Sequence, residues 1–256
     1  MANEIICGIN SVYEVIRAGR RKVFAVYVVE GKRGPHLDKV IELANGSGIK
    51  VKEISKPKIL DLTHVETNQG IAAEVEPFKY LTIEELVNLT KKAGRPAFIV
   101  ILDQVNDPHN LGALIRTAHL LGADGIVIPK DNAVAVGPTV AKSASGAVEY
   151  LPIVRETNLT NCINILKNNN IWVVGAEGEA KKTIYEYDFT TPTAIVLGGE
   201  GKGLRRLVKE NCDDLLTIPM QGKIDSFNVS VAGAIFMSEV MRQRLGKNRA
   251  TSLKNT

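Results

Sequence analysis

Cysteine is scarce. Cys7, Cys162 and Cys212 are the three in 256 residues, widely separated and without a C-x-x-C pair. That excludes a disulfide-framed secreted fold and a thiolate zinc site, and points to buried or incidental thiols in a reducing, cytoplasmic compartment. Histidine supplies no metal set either: His36, His64, His109 and His119 lack ligand spacing, so no metal is expected. No apolar run approaches the ~20 residues that span a bilayer. The opening MANEIICGIN lacks the basic-then-apolar pattern of a secretory leader. Charge of one sign is also lacking. Thirty-two basic against 28 acidic residues leave +4, too mild a balance to carry nucleic-acid binding by itself.

The familiar glycine motifs are missing as well, although the chain is organised around a glycine-rich stretch, TAIVLGGEGKGLRR from Thr193. After Gly199 and Gly201, a dinucleotide fingerprint needs a third glycine where Leu204 stands. A P-loop needs Gly-Lys-Ser/Thr where Gly203 is followed by Leu204 and Arg205. Neither an NAD site nor a phosphate cradle is favoured. Ala194–Leu197 reads as a buried strand ending in a loop whose glycines let backbone approach a ligand closely. A plain helix-entry turn fits the same residues. Leu215–Met220 is a second apolar run, followed by a polar turn. Asn228 then suits the N-cap of a helix from Val229 to Leu245. Ligands in open α/β sheets sit at such strand ends.

With 256 residues, the chain suits one large domain or two small ones. Alternating strands and helices over residues 1–77 predict a small α/β unit. A helix from Thr82 to Lys92, with a capping box of Thr82 and Glu85, lies in a linker of 78–96. Strand–helix alternation over 97–247 predicts one further α/β domain with a parallel sheet, Ala97–Leu102 being apolar enough for its centre. A helix from Asn110 to Leu121 carries Arg116 off its apolar stripe, with Gly112 one turn earlier leaving space beside the guanidinium. Residues 248–256 are expected to form a flexible tail. Basic clusters stand at Arg17, Arg20, Arg21 and Lys22, and at Lys202, Arg205, Arg206 and Lys209. Such clusters serve either as phosphate contacts or as solvated faces.

Three segments carry a family resemblance. DQVNDPHNLGALIRTA (103–118), IVLGGEGKGL (195–204) and IPMQGKIDSFNVSVAGAIF (218–236) resemble the three motifs of the SpoU/TrmH family of RNA 2′-O-methyltransferases, in the SPOUT superfamily. They occur in order across more than half of the chain. CGINSVYEVI and TNQGIAAEV resemble the ribosomal-protein-like RNA-binding domain of one branch of that family. The resemblance implies a C-terminal parallel-sheet domain with a deep trefoil knot holding S-adenosylmethionine. It implies cofactor contacts at Leu197, Gly198, Gly199, Glu200, Ile218, Met220, Phe227 and Asn228. The catalytic set would be Asn110, Arg116, Glu200, Ser226 and Asn228. RNA contacts are expected at Arg20, Arg21, Lys22 and Arg116. A homodimer is implied through the helix after Asn228, where Ala232, Gly233 and Ala234 suit close crossing; packing within the chain explains them equally well. The N-terminal domain matches the branch that methylates a guanosine in large-subunit (23S) ribosomal RNA. Transfer RNA is the alternative substrate, and a non-catalytic RNA-binding assembly factor the alternative class.

Overall fold

The computed structural model describes residues 3–199 and 203–252, with side chains as far as residue 247. Two compact units emerge. The first takes the chain as far as Lys79, together with Leu111–Arg116 and Ala135–Tyr150; the second takes the remainder.

In the first unit the chain runs β1 (Glu4–Cys7), α1 (Ile9–Ala18), β2 (Val23–Val29), α2 (Pro35–Gly46), β3 (Lys50–Ile54), α3 (Lys56–Thr63) and β4 (Ile71–Val75). The sheet order is β1-β4-β2-β3, with β4 antiparallel to both neighbours and β2 parallel to β3. β-branched residues fill β2, whose Val26 and Val28 are buried. α1 buries Val12, Val15 and Ile16 on one stripe and stops at Gly19 in the left-handed conformation.

The segment 135–150 belongs to this unit. It holds α6 (Pro138–Ser143) and a single 3-10 turn, Ala147–Glu149. Ser11 Oγ donates to Ala141 O at 2.9 Å, and Tyr150 donates to Glu14. The Arg21 guanidinium grips the buried Glu149 with Nε and Nη2. Its Nη1 reaches Glu4 Oε2 at 3.1 Å and the carbonyl of Glu76 at 3.3 Å. Arg21 was expected to meet RNA; it is 8% exposed and its charge is consumed internally. A basic run in sequence does not say which member turns inward. Breaking such a pair strands a buried carboxylate, so Arg21→Ala should lower the unfolding free energy by about 3–5 kcal/mol. Exposed Lys22→Ala should stay within about 0.5 kcal/mol. Urea denaturation of the two variants checks this; equal stabilities contradict it.

The second unit contains α4 (Ile83–Lys92), β5 (Phe98–Asp103), β6 (Gly125–Pro129), β7 (Ile153–Glu156), α7 (Leu159–Asn168), β8 (Trp172–Ala176), β9 (Lys182–Thr183), β10 (Thr193–Gly198), α8 (Arg206–Asn211), β11 (Asp214–Thr217) and α9 (Val229–Ser252). α5 (Pro108–Leu120) is shared with the first unit. Its seven strands are all parallel, in the order β7-β6-β5-β10-β8-β11-β9. The core is aliphatic: Ile99, Ile101, Val127, Val154, Val173 and Val196 are fully buried. Continuous apolar strands of this kind need both faces covered. α4 helps cover one. The capping box of Thr82 and Glu85 starts it, and Ile83, Leu86 and Val87 join the same core. The segment read as a linker is therefore built into this unit.

Other differences are local. α5 begins at Pro108 rather than Asn110, because the Asp107 side chain caps it by accepting from the amides of His109 and Asn110. β7 starts at Ile153, after the 3-10 turn. α8 was not anticipated, and α9 runs through Ser252, into the stretch expected to be a tail. Gly246, a usual helix-ending residue, does not stop it, and no proline follows.

The thiols are quiet. Burial pushes Cys162 and Cys212 up to about 12 and raises Cys7. A thiolate is the reacting form, so native protein at pH 8 should react slowly with an aromatic disulfide reagent. All three should react quickly once unfolded. Fast native labelling of two thiols would contradict this.

Candidate functional site

Three neighbouring strands, β10, β8 and β11, end on the same side, and the loops that leave them wall a cavity of about 530 Å³. Leu197, Gly198 and Gly199 come from the end of β10, and Ala176, Glu177 and Gly178 from the end of β8. Ile218 and Met220 follow β11. They were read as strand, but β11 ends at Thr217, which frees both to line the loop. Asp225, Ser226, Phe227 and Asn228 close the cavity, and Ala232 and Phe236 of α9 form its floor. Seven of the eight expected cofactor residues thus line one cavity; the eighth, Glu200, lies outside the described residues.

The glycines have a more specific reason than ligand approach. A Cβ on Gly198 would come 2.6 Å from the amide nitrogen of Leu204, and one on Gly199 3.0 Å from the carbonyl carbon of Gln104. Backbone meets backbone there, and no side chain fits. Gly203, at φ +61°, turns the chain back to bridge Gly199. A carboxylate locks the return. Asp103 is fully buried at the end of β5, and it accepts from the amide of Arg205 at 2.9 Å and from its Nε at 2.7 Å. Asp103 is not singled out in the sequence, and Arg205 is named there only as a member of a basic cluster, whereas here it is paired internally. An acid closing an otherwise apolar strand was the available signal.

Asn110 and Asn228, 118 residues apart, meet. Asn228 Nδ2 donates to Asn110 Oδ1 at 3.1 Å. Asn228 Oδ1 accepts from the amide and hydroxyl of Ser230, at 2.9 and 2.6 Å, and so caps α9. Asn228 thus ties the start of α9 to Asn110 on α5. Ser226 stands exposed on the cavity wall. Arg116 is six residues beyond Asn110 on α5. It is exposed, with Nη1 donating to Ser145 Oγ at 3.1 Å. The space expected beside it at Gly112 is filled: a Cβ there would lie 2.9 Å from both Val140 O and Ala144 N. Among the described residues, no group of three His, Cys, Asp or Glu side chains could hold a metal. None of the described helices is long and apolar enough to cross a membrane.

The pattern of the SpoU rRNA Methylase family matches residues 97–238, and that of the RNA 2′-O ribose methyltransferase substrate-binding family matches residues 5–81. The chain belongs to the SpoU methylase family. Among curated relatives, a 23S rRNA (guanosine-2′-O-)-methyltransferase, RlmB of Coxiella burnetii, is 44% identical over 239 residues, 93% of this chain and 95% of that one. A Bacillus subtilis protein, YacO, whose name specifies only TrmH family tRNA/rRNA methyltransferase, is 40% identical over 242 residues, 94% and 96% of the two chains. The AdoMet complex of the SpoU methyltransferase AviRb from Streptomyces viridochromogenes shares the fold, with a TM-score of 0.78 at 22% identity over 96% and 92% of the chains.

Leu197, Ile218, Met220, Phe227 and Phe236 give the apolar slot a purine needs, at a volume usual for small-ligand sites. Among the described residues no lysine or arginine lines the cavity, while Glu177 and Asp225 do. Glu177 is tied to Lys209 at 3.0 Å. Such a lining disfavours a polyphosphate and suits a ligand bearing a sulfonium and an ammonium. The residues fit the cofactor.

Proposed function

We propose that this protein transfers a methyl group from S-adenosylmethionine to the ribose 2′-hydroxyl of a guanosine in 23S ribosomal RNA. The observation that carries the reading is the cavity at the ends of β10, β8 and β11, apolar and free of described cations, with the Asn110–Asn228 pair beside it. The substrate rests on the N-terminal unit and on relatives similar over nearly their whole length.

When bound, S-adenosylmethionine supplies a methyl group already activated on sulfur. What remains for the protein is alignment and stabilisation of charge on the 2′-oxygen. Leu197, Gly198, Gly199, Ile218, Met220, Phe227 and Asn228 hold the cofactor, with Glu200 in the same motif. Asn110, locked by Asn228, and Ser226 orient the ribose. Arg116 clamps a substrate phosphate and stabilises the developing alkoxide. A guanidinium offers a planar fork of N–H donors and no acceptor, so it serves as an electrostatic donor rather than a base. Arg20 and Lys22, both exposed, contact the RNA backbone. We further propose that the protein works in the cytoplasm as a homodimer through α9, which exposes Val231, Met241 and Leu245. We also propose that the C-terminal parallel-sheet domain carries a deep trefoil knot. The insertion of β10 between β5 and β8, and the close approach of Gly199 to the backbone of Gln104, support the knot.

The test is transfer of labelled methyl from S-adenosylmethionine to unmodified ribosomal and transfer RNA, side by side. Label in a guanosine of the large-subunit RNA is expected. Label only in transfer RNA overturns the substrate. Absence of both transfer and cofactor binding overturns the enzyme.

A further inference from the structure

Ser145 sits at a backbone position that disfavours it. Its φ is +51°, in the left-handed region where glycine or asparagine is the cheaper residue. Gly146 follows, at φ +84°. From that position Ser145 Oγ accepts from Arg116 Nη1 at 3.1 Å.

The surroundings fix that oxygen. Gly112 lets α5 lie directly on the end of α6, since a Cβ there would meet Val140 O and Ala144 N at 2.9 Å. The amide of Ser145 donates to Lys142 O at 2.9 Å, closing the helix. On its far side the turn rests on α1: a Cβ on Gly146 would stand 2.8 Å from Glu14 Cγ and 3.2 Å from Asn10 O. Ser11 holds Ala141, Glu14 holds Tyr150, and Arg21 holds Glu149. The turn is thus pinned from both ends by the N-terminal unit.

We infer that Ser145 is a positioning residue for Arg116, and that α1 holds the Ser145–Gly146 turn in the conformation this requires. The inference rests on the proposed role of Arg116 in methyl transfer. It gives the N-terminal unit a second task beside RNA capture: it holds the acceptor that aims the arginine. An exposed arginine has many rotamers, and one charge-assisted hydrogen bond selects among them.

Full-length Ser145→Gly, Ser145→Ala and Ser145→Asn proteins separate the hydroxyl from the backbone. Glycine relieves the left-handed turn and removes the acceptor, alanine removes the acceptor alone, and asparagine suits the turn and offers a new acceptor. Glycine and alanine variants should lose about tenfold in kcat, with KM for RNA and Kd for S-adenosylmethionine unchanged; about 1.4 kcal/mol corresponds to each tenfold. Asparagine should restore part of the rate. In single turnovers with Arg116→Ala, adding Ser145→Gly should cause no further loss. A Ser145→Gly enzyme as fast as the parent overturns the inference alone. So does a tenfold loss that persists on top of Arg116→Ala. A parent protein that methylates no RNA overturns the proposed function, and this inference with it.

Discussion

Arg116→Ala is expected to lower the rate of methyl transfer about a hundred- to a thousand-fold, the usual cost of removing a donor aimed at developing negative charge. Affinity for S-adenosylmethionine should not change, because Arg116 is not among the residues lining the cavity. Arg116→Lys discriminates the mechanism. Lysine keeps the charge and loses the planar fork, so it should retain part of the rate if the arginine is an electrostatic clamp. Single-turnover rates at saturating RNA, with cofactor binding by calorimetry, give both quantities. Lysine and alanine variants equally inactive, with RNA affinity intact, would contradict the clamp.

Gly198→Ala should be strongly damaging. The added methyl has no side chain to push aside; it meets the backbone at Gly203 and Leu204, 2.6 Å from the latter's amide nitrogen. Relief requires moving the loop that walls the cavity. Stability should fall at the upper end of the ~1–3 kcal/mol typical of overpacking, and cofactor binding should be lost in protein that still folds. Gly222→Ala is the control. That glycine also lies in a loop of this unit, but the nearest atom to an added Cβ is 3.9 Å away. Denaturation midpoints and calorimetric titrations of both variants test the contrast. Cofactor affinity in Gly198→Ala equal to the parent's would mean that the crossing does not shape the site.

Much of this was legible in the sequence because local chemistry and function coincide. Strands β5 and β10 carry apolar runs, the Thr82–Glu85 box starts α4, and Leu197, Gly198, Ile218 and Phe227, which the family resemblance implied, converge on one cavity. The rest depends on long-range placement that periodicity does not encode. Nothing local says that β10 inserts between β5 and β8, or that Gly199 must clear Gln104. Arg20, Arg21 and Lys22 look alike in sequence, but the partner that draws Arg21 inward is Glu149, 128 residues away. The segment 135–150 reads as part of the second domain, yet it packs with the first unit because Ser11, Glu14 and Arg21 all find partners in it.

The proposed acceptor of the methyl group is a ribose 2′-oxygen, and the modified nucleoside reports it. Unmodified 23S ribosomal RNA treated with the protein and S-adenosylmethionine is digested to nucleosides and analysed by mass spectrometry. In parallel, alkaline hydrolysis is mapped along the RNA. The expected product is 2′-O-methylguanosine, with the methyl on the sugar fragment and one alkali-resistant linkage at the modified position. A methyl found on a base, with every linkage still cleaved by alkali, would contradict it.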